Sequence, residues 1–93
     1  MQHGELPDGL TLQRTTDEFE PGKVPAGLLR AHRVATGVWG RLRVTAGTLD
    51  FVWEDDPDQP LHLEAGDAVV IPPDVPHHVE PGPAARFLVE FHR

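Results

Sequence analysis

Histidine is the side chain in this sequence best suited to chemistry near neutral pH, and its placement in two stretches draws attention. His77 and His78 close the run Gly66-Asp67-Ala68-Val69-Val70-Ile71-Pro72-Pro73-Asp74-Val75-Pro76, and His32 ends Leu28-Leu29-Arg30-Ala31 upstream. A neutral imidazole on a stiff strand is a ready metal ligand or proton carrier, because its ring is held against its partner groups. The plainer reading of each is a loop histidine hydrogen-bonded to backbone. No nucleophile accompanies them. Cysteine and serine are both absent, and the threonine near His32 has no evident Asp-His relay, so triad-type covalent catalysis is disfavoured.

Arginine offers a second chemistry. Arg41, together with Arg30, could clamp a carboxylate or oxyanion ligand with its planar fork, with Trp39 beside it. The plainer reading of Trp39 and Arg41, and the favoured one, is a surface or dimer-interface stripe, where both types are common. The acidic run Glu54-Asp55-Asp56-Pro57-Asp58 lacks the glycine and distal glutamate of a calcium loop and reads as a solvated hairpin loop.

The elements that must position these groups are strands. Ala68 to Ile71 is a short β-branched run entered from a Gly-Asp turn and stopped by Pro72-Pro73. Pro76 forces Val75 towards an extended conformation, so the chain leaves the corner as a strand. On that strand His77, Val79 and Pro81 share one face, and His78 and Glu80 the other. His77 is therefore the inward candidate.

Elsewhere Leu10 to Arg14 suits a short first strand, and Thr15 to Val24 a surface connection. Leu28 to Val34 fits either period; a strand is expected, given its β neighbours. From Val38 to Ala46, small or apolar residues alternate with Trp39, Arg41, Arg43 and Thr45. A turn at Ala46-Gly47-Thr48 then leads to Leu49, Phe51 and Trp53, which suggests a hairpin. Leu61 to Glu64, Ala68 to Ile71, His77 to Glu80 and Phe87 to Phe91 complete about eight short strands, the pattern of a β-sandwich or jelly roll.

Composition narrows the function. The chain has 93 residues, enough for one domain and a modest core, so a closed architecture or a homodimer is expected. Its 8 Lys+Arg against 15 Asp+Glu give a net charge of −7, which argues against nucleic acid and anionic membrane surfaces as partners. The absence of cysteine, of a signal-like start and of any segment long enough to span a bilayer reads as soluble and cytoplasmic.

Gly66, Pro72, Asp74 and His77 stand at the spacing of the second motif of the cupin superfamily, with Asp74 in place of its second glycine and Pro81 in place of its asparagine. Pro25-Ala26-Gly27-Leu28-Leu29-Arg30-Ala31-His32, Gly37 to Leu42, Gly47 and Val89-Glu90-Phe91 resemble more narrowly the small TehB-like cupin domain of tellurite-resistance proteins. The resemblance runs from about Leu6 to Arg93. It implies an all-β fold, a single-domain cupin jelly-roll barrel over residues 1–93, and a link to tellurite or oxyanion stress.

It also implies a divalent metal (Zn, Fe, Ni or Mn) holding a small anionic or oxygenated ligand, with dioxygenase or isomerase chemistry among the reactions such barrels host. His32 stands for one first-motif histidine and His77 for the second-motif histidine. Val34 falls where a second first-motif histidine would be, and Gly40 where the glutamate would be. The third ligand is expected from Glu90, with His62, His78 and Glu80 as further candidates. The methyltransferase of longer relatives has no counterpart here, and no nucleotide cofactor is expected. The alternative is a non-catalytic binding or sensor module that works without metal beside a partner.

Overall fold

Alternation of apolar and polar side chains sends most of the chain into strands, and the computed structural model, which describes residues 1–93, contains eight of them. They are β1 (Gln2–His3), β2 (Leu12–Thr15), β3 (Trp39–Ala46), β4 (Thr48–Trp53), β5 (Leu61–Glu64), β6 (Ala68–Ile71), β7 (His77–Pro81) and β8 (Arg86–His92). A single 3-10 turn, Ala26–Leu29, interrupts them. Five strands form one sheet in the order β1-β6-β3-β8-β2, and three form the other in the order β5-β4-β7. No helix is long and apolar enough to cross a membrane.

The inner faces of the two sheets make one core. Leu42 and Val44 of β3, Val69 and Ile71 of β6, and Phe87 and Val89 of β8 meet Leu49 and Phe51 of β4, Leu63 of β5 and Val79 of β7. These are the positions that period-two alternation assigns inward. Full burial of each large apolar side chain contributes about 1.5–3 kcal/mol, so Phe51, Phe87, Leu49 and Leu63 carry much of the stability. β6 is buried at every residue, as its unbroken apolar run requires.

Four expectations need correction. Leu28 to Val34 is not a strand: Pro25 begins a turn closed by Leu28 N–H donating to the Pro25 carbonyl at 2.9 Å, which packs Leu28, half-buried, against the core and leaves Arg30 exposed. A strand there would have turned Arg30 inward with Leu28, and the turn avoids that cost. The eighth strand is instead β1, and it runs parallel to β6, whereas the expected jelly roll is built from antiparallel strands. Phe19, read as part of a surface connection, bridges Phe87 and packs its ring 5.1 Å from that ring. His92 is the last residue of β8 and is half-buried.

The fourth correction concerns connectivity. β3 and β4 do not pair as a hairpin; they belong to different sheets, and the chain crosses between them at Gly47. Gly47 has φ +67°, and a Cβ there would lie 2.5 Å from the Ala84 carbonyl oxygen. Only glycine fits that corner. The true hairpin is β4 with β5, Thr48 opposite Glu64 and Phe51 opposite Leu61, across the exposed acidic loop.

Candidate functional site

The second-motif corner is built by backbone geometry. Asp74 adopts φ +65°, the left-handed conformation that the motif's glycine would supply, and aspartate is among the few side chains that tolerate it. Two contacts hold it there. Its N–H donates to the Val34 carbonyl at 2.9 Å, and its Oδ1 accepts from the Thr36 hydroxyl at 2.8 Å. The departure from the motif therefore preserves the turn.

That corner aligns residues 32–36 antiparallel to 74–77. His32 and His77 form a reciprocal backbone pair, with N–H to carbonyl distances of 2.9 and 2.8 Å. Such a pair places both side chains on the same face. Their ring centroids are 4.2 Å apart in an edge-on arrangement. His77 also stacks on Phe51 at 5.0 Å and meets Trp53 edge-on at 6.0 Å.

Both rings are oriented in the same way. His32 Nδ1 lies 3.0 Å from the Arg30 carbonyl, and His77 Nδ1 lies 2.9 Å from the Val75 carbonyl. A carbonyl only accepts, so each Nδ1 carries the proton, and in the neutral ring each Nε2 keeps its lone pair. His77 is 2% exposed. Burial lowers its pKa from 6.5 to about 4, the hydrogen bond to Val75 offsetting part of that loss, and nearby His32 lowers it further. Nε2 of His77 has no hydrogen-bonding partner, and the only side-chain atom both sealed and unsatisfied is Nε2 of His92. The His77 lone pair is therefore open to the cavity that its ring lines.

This cavity has a volume of about 110 Å³ and lies between the sheets, bounded by His32, His77, Leu28, Val34, Ile71, Phe91 and neighbouring core residues. Eight of its eleven lining residues are hydrophobic. The remaining one besides the histidines, Arg33, is exposed. The i−2 carbonyls that orient both histidines and the wall supplied by Leu28 and Phe91 were not anticipated from sequence. A histidine two residues after a potential carbonyl acceptor was the available signal, and it is a weak one.

The other expected site residues lie elsewhere. Glu90 points away from the cavity, on the outer face of the five-stranded sheet, where Arg41 donates to it at 2.9 Å and Arg43 at 3.4 Å. Its parity on β8 puts Phe87 and Val89 inward and Glu90 outward. It cannot join His32 and His77. Arg41 also donates to Gln2 at 2.7 Å, so its fork is occupied within the chain, and Trp39 lies on the same outer face opposite His92. Arg30 is exposed and contributes its carbonyl. His62 pairs with Asp50 at 2.7 Å on the outer face of the three-stranded sheet. On that face His78 contacts Glu54 and, at 2.7 Å, Glu80. Those carboxylates, Glu80 foremost, raise the pKa of His78.

A metal of the kind cupins hold was tested against these residues. Two Nε2 lone pairs are available, but zinc sites use three or four protein ligands and catalytic iron a facial triad. The position of the family's glutamate holds Gly40, which has no ligand to offer, and a Cβ there would pack against Ile71 and Val34 at 3.4 Å. No group of three or more His, Asp or Glu side chains converges anywhere in the chain to hold a metal ion. The residues present do not complete the site.

Two facing sheets, a proline-bounded corner that delivers a histidine inward, and a cavity at that histidine define a cupin-type domain. Within that class, the TehB-like domain matches residues 14–89, and the chain belongs to this family. Among solved structures, a protein from E. coli strain K12 is similar over 96% of this chain and 95% of its own, with 28% identity and a TM-score of 0.86. TehB from Haemophilus influenzae shares the fold over 91% of this chain but 32% of its own, with 20% identity and a TM-score of 0.82. A cupin-2 domain protein from Shewanella frigidimarina aligns over 92% of this chain and 72% of its own, at 21% identity and a TM-score of 0.60. No curated protein matches the chain in sequence.

Proposed function

We propose that this chain is a small-molecule-binding cupin module, non-catalytic by itself, in which His32 and His77 are the recognition elements. One observation carries the reading: two imidazoles side by side at a largely apolar cavity, each with its Nδ1 directed at a backbone carbonyl and its Nε2 without a partner in the chain. A bound N–H or O–H donor would satisfy Nε2 atoms that no protein group meets. Reaction chemistry would then reside in a partner protein. Titrating the tag-free protein with a small-fragment panel, followed by amide and histidine-ring NMR, tests this. Shifts confined to residues around His32 and His77 support it, and shifts confined to other surfaces refute it.

A second reading is a divalent metal (Zn, Fe, Ni or Mn) held by the same two lone pairs, with its other positions filled by ligand or water. The proximity of the rings, 4.2 Å between centroids, favours it. Elemental analysis of protein purified without tag or chelator, compared with His32→Ala and His77→Ala, decides between them. Stoichiometric metal in the parent and none in either variant supports the metal. A role in tellurite or oxyanion stress rests on the family alone, and growth of a deletion strain under such stress tests it. A cytoplasmic homodimer suits so small a core; sedimentation would give the oligomeric state.

A further inference from the structure

The cavity's chemistry narrows what it can hold, and the narrowing rests on the reading of His32 and His77 as a ligand site. An anion brings lone pairs, and the two Nε2 atoms that would meet it carry lone pairs themselves. Accepting an anion at His77 would require a proton on a ring that is 2% exposed and packed among apolar groups, where the charged form is disfavoured. Arg33, the only permanently charged residue on the wall, is exposed to water rather than turned fully into the cavity. A cation fares no better, because no carboxylate lines the wall and its hydration would be lost. What remains is a neutral molecule with an N–H or O–H to give and an apolar body to bury.

Size sets the other limit. An apolar cavity of about 150 Å³ holds benzene, and this one is about 110 Å³. The space suits a flat ring of roughly five heavy atoms or a short-chain alcohol. The edge-on arrangement of the two imidazoles, with Phe51 stacked behind His77, leaves the apolar wall to take the rest of the molecule.

We infer that the cavity is a metal-independent site for small neutral hydrogen-bond donors, azole- or alcohol-like, bound through the Nε2 lone pairs of His32 and His77. The anionic ligand that the family resemblance implies is not what these side chains are arranged to receive.

Pyrrole and furan make the test sharp, since they have nearly the same size and shape and only pyrrole has a donor. In chelator-treated protein, pyrrole is expected to bind about tenfold more tightly than furan, the worth of roughly one hydrogen bond. It should also move the Nε2 resonance of a ¹⁵N-labelled histidine ring. The preference should shrink in His32→Phe and in His77→Phe, each of which keeps an aromatic ring but has no lone pair. The ring resonance in the unmodified protein gives the answer even if a variant folds poorly. Furan binding as tightly as pyrrole would overturn the inference. Acetate or tellurite binding more tightly than pyrrole, with shifts at His77, would overturn the ligand class while leaving the cavity a binding site. Zinc taken up stoichiometrically by both histidines and blocking pyrrole would overturn metal independence. If no probe perturbs the cavity residues, the ligand class and the reading of a binding site both fall.

Discussion

Replacing His77 with phenylalanine should flatten the dependence of stability on pH in acid. The unfolded histidine titrates near 6.5 and the folded one at about 4. Because the folded value is depressed, the contribution of His77 is fully present above pH 6.5 and is lost as pH falls towards 4, where the unfolded chain takes up the proton first. The full shift corresponds to about 3 kcal/mol. Between pH 8 and pH 5 about 2 kcal/mol of this is expressed, because the folded ring takes up its proton only near pH 4. His78 acts in the opposite sense. Its pKa is raised by Glu80 and Glu54, so its contribution is present below pH 6.5 and is lost as pH rises through the folded value. It is common to both proteins and cancels in their difference. The assay is urea unfolding at pH 8, 7, 6 and 5 for the parent and His77→Phe. The parent's midpoint should fall by on the order of 1–2 M more than the variant's, for a chain of this size. Parallel curves would refute the argument, because they would mean that the imidazole is not held neutral in the fold.

Three further outcomes are expected. Gly47→Ala should destabilise by more than about 3 kcal/mol in urea unfolding, combining left-handed strain with a Cβ 2.5 Å from the Ala84 oxygen. Asp74→Gly should stay within about 1 kcal/mol of the parent, since relief of φ +65° offsets loss of the Thr36 contact, whereas Asp74→Val should cost about 2–3 kcal/mol by thermal unfolding. Glu90→Ala should cost about 1–3 kcal/mol by leaving Arg41 and Arg43 without their carboxylate. It should leave NMR shifts around His77 unchanged, because it lies across the sheet.

What could be read in advance depended on how local the governing physics was. The strands β3, β4, β6, β7 and β8 follow from alternation and from prolines that stop it, and the inward turn of His77 follows from parity after Pro76. The parity of Glu90 also pointed outward, and the expectation that it would turn inward to complete a metal site failed against that signal. The turn at Ala26–Leu29 escaped because its apolar residues fit two periods, and packing of half-buried Leu28 against the core decided between them. The crossing at Gly47 escaped because a tight hairpin and a corner between sheets use the same residue. The distinguishing contact, Ala84, is 37 positions away (84 minus 47). The pairing of His32 with His77 joins segments 45 positions apart (77 minus 32), and no local signal encodes it.

Consecutive histidines on β7 also act as a registration mark. A slip of one residue in the pairing of β7 with β4 would exchange their faces. The proton-rich ring of His78 would then enter an apolar wall, and the ring suited to staying neutral would face Glu54 and Glu80 in water. Val79 would leave the core in the same movement. A strand only five residues long has few contacts with which to reject a wrong alignment. Two copies of one residue type in opposite surroundings give it a strong electrostatic preference for the correct one.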